Sequence, residues 1–252
     1  MRLDKFLAEN FGSRTKAAFA IRKWLVLVNG KPAEPSCEYR ENDKIEILTA
    51  AESYVSVGGF KLSKALKDFN FSVKGKVFAD IGASTGGFTD CLLQNGAKKV
   101  YCIDVGESQL DKSLIGPNIR VIDNFNARNL SKDLFEEELD CVVIDVSFIS
   151  LTYILEGVSN IIKDGAKVIA LIKPQFECES RSVGKNGIVK DAEMHRKILF
   201  KVLDFAESCN LKPLKLTDAP VVAGKNIEYL ALFEKSAITQ KFDKLLIKSI
   251  KL

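Results

Sequence analysis

Lys61, Asp145, Lys173 and Glu228 are the residues of this chain whose types and positions suit chemistry best. Asp145 and Lys173 close apolar runs, Glu228 opens one, and Lys61 lies on a helical stretch ahead of them. Open α/β sheets bind ligands beyond the carboxyl ends of their parallel strands, so such boundaries converge on one edge. An antiparallel last strand would bring its start, and with it Glu228, to the same edge. The one histidine, His195, falls in Asp191–Cys209, where Met194, Ile198, Val202, Phe205 and Ala206 recur at helical spacing. A base among these residues must therefore be a lysine. Free lysine has a pKa of about 10.4, and burial or a neighbouring cation can bring it to roughly 7–8. That shift corresponds to about 4 kcal/mol of differential interaction. Lys61 near Lys173 would supply like-charge repulsion, with Asp145 and Glu228 orienting both lysines and limiting it. Such a set suits removing the proton of a weakly acidic alcohol. Taken alone, Lys173 before Pro174 also reads as a strand terminus whose stem lies along apolar surface.

A second constellation lies upstream, in Val77–Asp90 (VFADIGASTGGFTD). An apolar run ends at Asp80, Gly82, Gly86 and Gly87 form a turn, and Phe88 to Leu93 resumes at helical spacing. A strand, a glycine turn and a helix N-terminus make a nucleotide-binding crevice, with glycines where a Cβ would hold the backbone off a ligand. The next run, Lys98–Ile103, ends at Asp104, roughly 20 residues on, where a carboxylate takes both ribose hydroxyls. Gly82–Gly87 does not have the G-x-G-x-x-G spacing of a dinucleotide site. An acid before the first glycine suits a ligand with an ammonium group, which points to S-adenosylmethionine. The expected cofactor contacts are Asp80, Gly82, Ser84, Thr85, Gly86, Gly87, Phe88, Asp104, Val105 and Asp123.

The same turn also matches G-x-S-x-G, and Ser84, Asp145 and His195 follow in serine-hydrolase order. A hydrolase histidine belongs on a loop after a late strand, whereas His195 sits in a helical pattern, so the methyl-transfer reading leads. Amine methyltransferases often carry N/D-P-P-Y after the fourth strand. Asp145-Val146-Ser147-Phe148 stands there and favours oxygen as acceptor.

The elements that position these residues follow from hydrophobic patterning. Residues 1–48 read as helices Arg2–Asn10 and Arg14–Trp24, the second capped by Ser13, then strands Val26–Val28 and Lys44–Leu48 with a turn at Asn29-Gly30. Residues 49–56 read as a linker and 57–236 as a catalytic domain, with a basic amphipathic tail at 237–252. Behind the helical segment Lys61–Phe69, seven apolar runs alternate with helical segments. They are Val77–Asp80, Lys98–Asp104, Ile119–Ile122, Asp140–Asp145, Lys167–Lys173, Leu214–Val221 and Glu228–Phe233. The alternation implies a mainly parallel sheet covered on both faces. The last two runs, separated by Val222–Ile227 with Gly224, should form an antiparallel hairpin. The 252 residues carry a net charge of +4, yet seven Lys or Arg and only two acids fall within residues 1–31. Charge concentrated in this way is the footprint of a nucleic-acid binder. Six scattered cysteines without a close pair, and a single histidine, argue for reduced thiols in a cytoplasmic protein and against zinc. No apolar run approaches the roughly 20 residues of a membrane span.

Several stretches together resemble the TlyA family of rRNA 2′-O-methyltransferases, whose catalytic domain is similar to FtsJ/RrmJ enzymes. They are GASTGGFTD at 82–90, Asp104-Val105-Gly106 with Gln109-Leu110, Asn126-Ala127-Arg128, DVSFISL at 145–151, KPQFE at 173–177, GIVKD at 187–191 and Asn226-Ile227-Glu228-Tyr229. The resemblance implies a seven-stranded, mainly parallel Rossmann-like methyltransferase sheet of the α/β class with a small N-terminal α+β RNA-binding domain. It places the family's Lys-Asp-Lys-Glu tetrad on Lys61, Asp145, Lys173 and Glu228, with Lys173 as base for a ribose 2′-hydroxyl. It also implies a short-type enzyme acting on a cytidine of large-subunit rRNA, on ribosomal RNA or a subunit, with no metal. Arg2-Leu3-Asp4, Ser13–Ala17 and Val26–Gly30 resemble the RNA-binding fold of a ribosomal protein. Arg2, Arg14, Lys16, Arg22 and Lys23 are then the expected phosphate contacts, positioning the RNA rather than reading its sequence.

Two positions depart from the family. Trp24 replaces a glycine before the first N-terminal strand, which implies core packing or, less simply, a stacking surface. Val57 replaces the arginine of Ser-Arg-Gly before Lys61. Because some relatives carry haemolysin labels, the tail offers a rival reading. Phe242, Leu245, Leu246 and Ile250 fall on one side of Ile238–Leu252 and lysines on another, a pattern that rests on membranes or docks on its own domain.

Overall fold

Parallel strands buried on both faces need apolar residues at consecutive positions, and the central strands have them. The computed structural model describes residues 1–49, 53–179, 183–184, 187–220, 225–236, 242–243, 245–248 and 250. The chain forms β4 (Val77–Ile81), β5 (Lys99–Ile103), β6 (Ile119–Ile122), β7 (Cys141–Ile144), β8 (Lys167–Ile172), β9 (Leu211–Asp218) and β10 (Tyr229–Lys235). They order as β6-β5-β4-β7-β8-β10-β9, with β10 antiparallel to both β8 and β9. This is the expected seven-stranded sheet with one reversed strand. Val221 and Gly224 lie outside the described residues.

The pleat sorts side chains between two cores. Val77, Ala79 and Ile81 pack with α5 (Leu155–Ile161) and α7 (Ala192–Ser208) on one face. Phe78 faces the other core, under α3 (Val57–Phe69) and α4 (Gly87–Gln94). One expectation fails in part. The β5–β6 and β6–β7 connections hold only single 3₁₀ turns, at Lys112–Leu114, Ala127–Asn129 and Lys132–Leu134. Their short apolar stretches cannot cover a sheet face at helical spacing, so these segments become loops over the strand ends.

A separate three-stranded sheet orders β2 (Lys31–Pro32), β1 (Val26–Val28) and β3 (Ile45–Ile47), all antiparallel. Asn29 and Gly30, at φ 54° and 72°, make the two-residue hairpin that pairs Val28 with Lys31. Before it come α1 (Leu3–Phe6) and α2 (Arg14–Arg22), both shorter than their patterns imply. Ser13 caps α2, its Oγ accepting from Lys16 N at 3.2 Å. Leu3, Leu7, Ala17, Ile21, Val26 and Ala33 form the small core. Trp24 does not join it. It follows α2 with φ 58° and stays half-buried, so the left-handed backbone that favours glycine is kept despite the indole.

Of the expected linker, residues 50–52 lie outside the described residues, while Tyr54 and Val55 pack on the catalytic core. Among the described tail residues, Phe242 and Ile247 are buried on the domain's own core and Phe242 lies 5.7 Å from the Phe200 ring. Leu246 and Ile250 also pack on that core, so most of the tail's described apolar side is docked, while Leu245 of α8 (Leu245–Lys248) stays exposed. Lys241, Lys244 and Lys251 lie outside the described residues. No described helix is long and apolar enough to cross a bilayer.

Candidate active site

The carboxyl ends of β4, β5 and β7 frame a cavity of about 350 Å³, within the size range of small-molecule sites. Its apolar walls include Ile81, Ile103, Val105, Phe125, Ile149 and Ile154. A second chamber of about 150 Å³ shares Gly82, Ser84, Asp145 and Ser147 with it and adds Thr85, Gly87, Phe88, Lys61 and Lys173.

The two lysines are held by different carboxylates. Lys173, the residue before α6 (Pro174–Glu177), lies 2.6 Å from Asp145 Oδ1 and donates to Ser147 Oγ at 2.8 Å. Pro174 opens α6 without a missing hydrogen bond, since the first N–H of a helix has no partner in its own turn. Lys61, on α3, donates to Glu228 Oε2 at 2.6 Å. All four side chains are largely buried, at 10–19 % exposure. The structure thus makes two ion pairs, with Lys61, Lys173 and Asp145 lining the smaller chamber.

The glycines earn their places by closing protein on protein more than by opening room for a ligand. A Cβ on Gly82, at φ 81°, would stand 2.7 Å from the Asp145 carbonyl oxygen. One on Gly87 would meet Ser56 Oγ at 2.2 Å and Gly59 N at 2.9 Å, where α3 and α4 touch. Gly86 caps α4 at φ 93° against Leu110 and Leu114, and lines neither chamber.

Three of the expected cofactor contacts, Asp80, Gly86 and Asp123, line neither chamber. Asp80 alternates with Ile81 along the pleat, so it points beneath α4, is fully buried and lines neither chamber. Its Oδ2 accepts from Thr89 Oγ1 at 2.6 Å, and Oδ1 has no partner among the described residues. Burial pushes its pKa up to about 7, helped by Asp145 and Asp104 and opposed by Thr89. Asp104 lines the large cavity but accepts from Ser84 N and Gly106 N, both at 2.8 Å. Each of its oxygens keeps a second lone pair for a ribose hydroxyl. Asp123 accepts from Ser108 N at 2.9 Å, shaping the loop after β5 without lining a chamber.

The hydrolase alternative does not survive the geometry. His195 is buried, with Nε2 2.9 Å from Val189 O and Nδ1 2.6 Å from the Tyr229 hydroxyl. Both ring nitrogens are engaged there, while Ser84 Oγ donates to Gln109.

Some residues at the site were not singled out from sequence. Ser147 touches Lys173, and Gln109 lines the cavity beside Ser84. Phe148 is 91 % exposed at φ 64°, its ring 5.1 Å from Phe176. The signal lies in Asp145–Phe148, which ends in an aromatic residue at the fourth position of a strand-end loop. Val57 lines the smaller chamber in the place of the family's arginine.

At the N-terminal face, Asp4 gathers two of the expected phosphate contacts. Arg2 donates to it through Nε at 3.1 Å and Nη2 at 2.8 Å, and Arg14 through Nη2 at 3.2 Å. Their side chains remain 51 % and 57 % exposed but share a counter-charge. Lys16, Arg22 and Lys23 are exposed, and no ion pair among the described residues includes them.

A glycine turn over an apolar slot, with Lys173 after β8 and Lys61 on α3 each held by a carboxylate, suits a nucleoside-dependent group-transfer enzyme. Residues 54–235 match the FtsJ-like methyltransferase family and residues 1–45 match the S4 domain. The chain belongs to the FtsJ-like methyltransferase family, and its methyl donor is S-adenosylmethionine. It is 43 % identical over 239 residues to Hemolysin A of Brachyspira hyodysenteriae, covering 92 % of this chain and 99 % of that protein. It is 35 % identical to the 16S/23S rRNA (cytidine-2′-O)-methyltransferase TlyA of Mycobacterium tuberculosis, covering 86 % and 82 %. It is 34 % identical to the 23S rRNA (cytidine-2′-O)-methyltransferase TlyA of Campylobacter jejuni, covering 94 % and 100 %.

Proposed function

We propose that this enzyme methylates the 2′-hydroxyl of a cytidine in large-subunit ribosomal RNA, with Lys173 as the base. The observation that carries the reading is the Lys173–Asp145 pair at 2.6 Å in the chamber that adjoins the large cavity. The large cavity fits the donor's adenosine: apolar walls suit the base, and Asp104 stands where ribose hydroxyls need acceptors. Asp104, which forms no ion pair among the described residues, lends the cavity a carboxylate that suits a donor with sulfonium and ammonium groups. When bound, that donor supplies an electrophilic methyl on sulfur, and transfer leaves a neutral thioether.

The chain's own residues do the rest. Lys173 Nζ, once neutral, accepts the 2′-hydroxyl proton as the oxygen bonds to the methyl carbon. Asp145 and Ser147 fix Nζ in place, and Asp145 stabilises the ammonium that results. Lys61 is aimed by Glu228 and faces the same chamber, where its charge meets the phosphate beside the target sugar. The exposed Phe148 ring at the cavity mouth offers a face for the target base to stack on. The S4 domain holds flanking RNA through Lys16, Arg22, Lys23 and the Arg2–Asp4–Arg14 cluster.

The two TlyA relatives share 23S rRNA in their names, which supports the large subunit as substrate. Such a substrate places the reaction in the cytoplasm. The test is to map 2′-O-methylation in rRNA from a strain lacking the gene, then restore it with purified enzyme. A single cytidine in the large subunit should regain its methyl group. Restoration at a base nitrogen, or no change on either subunit, would discard the proposal.

A further inference from the structure

Phe19 is an apolar ring left in water on the most basic surface of the N-terminal domain. It is 61 % exposed, on the outer face of α2, while Ala17, Ala18, Ala20 and Ile21 of the same helix are buried. Lys16 and Arg22 lie one turn to either side of it, the i±3 positions that share a helix face. Lys23 Nζ stands 6.0 Å from the ring centroid. Single exposed apolar residues are common and carry no message by themselves. Here the ring is flanked by three cations that form no ion pair among the described residues, and Trp24 follows at the end of the same helix. Trp24 keeps a left-handed backbone, φ 58°, without joining the small core.

Cations alone would hold phosphates and be indifferent to whether the RNA is paired. Aromatic faces among cations do something different, because unpaired bases stack on them and paired bases do not offer their faces. We infer that the Phe19 ring is a stacking surface for unpaired bases of the RNA substrate, so that this S4 face selects single-stranded or loop RNA over duplex. The inference rests on the rRNA reading of the function and adds a recognition chemistry to it. A second copy of this chain is the other occupant such a ring could take, but the three cations around it, none in an ion pair among the described residues, repel a like surface.

The experiment compares the full chain and two variants, Phe19→Leu and Phe19→Tyr, on two probes with equal phosphate number: an unstructured single-stranded RNA and a blunt RNA duplex. Phe19→Leu should lose about 5- to 100-fold in affinity for the single strand, the range for one base stacked on an aromatic side chain. Phe19→Tyr, which keeps the ring, should retain it. The salt slope should be unchanged in both, since no cation is removed. Trp24 is the only tryptophan, so its fluorescence reports directly and should be quenched by the single strand more than by the duplex. Equal affinity of Phe19→Leu and wild type, equal losses on both probes, or a dimer that Phe19→Leu dissolves would each overturn the inference. Failure of the wild type to bind either RNA would instead overturn the rRNA reading on which it stands.

Discussion

Asp4 and Asp80 are both buried carboxylates, yet the two domains treat them in opposite ways. Arg2 and then Arg14 hold Asp4 down to about 2, making it the centre of a cationic cluster on an RNA-facing surface. Asp80 is in no ion pair among the described residues, and burial holds it up at about 7 beneath the glycine turn. The N-terminal domain therefore spends its charge outward and keeps its interior neutral through pairing. The catalytic domain buries one carboxylate, Asp80, without an ion-pair partner among the described residues, and holds Asp104 on backbone N–H groups beside the cavity. Binding strength should depend on the first arrangement and turnover on the second.

Breaking the catalytic half should have the largest effect. Lys173→Ala should lower turnover by about 10²–10⁴-fold, the usual contribution of a positioned acid or base. Donor affinity should hold, because the large cavity does not include Lys173. Methyl transfer from labelled donor to undermodified rRNA, beside equilibrium donor binding, measures both. A variant that turns over normally would remove Lys173 as the base.

The buried pair of carboxylates can be set against each other by pH. A folded-state pKa of about 7, above the ordinary 3.8, means Asp80 is most stabilising when protonated. Its contribution is complete below about pH 4 and is lost as pH rises through 7, on the order of 4 kcal/mol in all. Asp4 runs the other way: its contribution is present above 3.8 and is lost as pH falls toward 2. Asp80→Asn should therefore gain on wild type steadily between pH 4 and 7 in urea unfolding of the catalytic domain. Parallel curves for the two proteins across that window would mean that Asp80 is not held protonated.

Asp104→Ala should weaken donor binding by roughly 10-fold or more, since charge-assisted hydrogen bonds contribute about 1.5–3 kcal/mol. Two routes lead to that loss. The direct one is the ribose, and the indirect one is the loop that Asp104 pins through Ser84 N and Gly106 N. Asp104→Asn separates them. An amide has one acceptor oxygen and cannot hold both N–H groups, so loop anchoring fails while one ribose contact survives. A dissociation constant unaltered in Asp104→Ala would set aside both routes.

Sequence alone showed the sheet well because its signal is local: Cys141–Ile144 is apolar at every position and Val77–Ile81 at all but Asp80. That Asp145, Lys173 and Glu228 come near one edge was legible for a similar reason, since they punctuate those runs. Pairing within the tetrad was not, because which lysine meets which carboxylate depends on where α3 crosses the sheet. Asp80 was misjudged through the pleat: one position along β4 decides whether a side chain faces the cavity or the underside of α4. Arg2 and Arg14 counted as free charge until the fold brought Asp4 between them. Phe148 hid in positive-φ backbone, which a residue type other than glycine does not announce.

The smallest effect belongs to the outward charge, and it sharpens the contrast most cleanly. Lys16 has no ion-pair partner among the described residues, so Lys16→Ala should release about one fewer counterion on RNA binding. The slope of log affinity against log salt should fall by about 1, with a several-fold weakening that high salt erases. Arg2→Ala removes a charge that Asp4 already shares, so its slope change should be smaller and its acid sensitivity larger. Loss of a full unit of slope from Arg2→Ala, matching Lys16→Ala, would mean that Asp4 releases Arg2 when RNA arrives. In kinetics both substitutions should act on KM for rRNA, whereas Lys173→Ala acts on kcat. That division is what separate handling of charge in the two domains requires. A Lys16→Ala enzyme with its defect in kcat would join the two surfaces into one site.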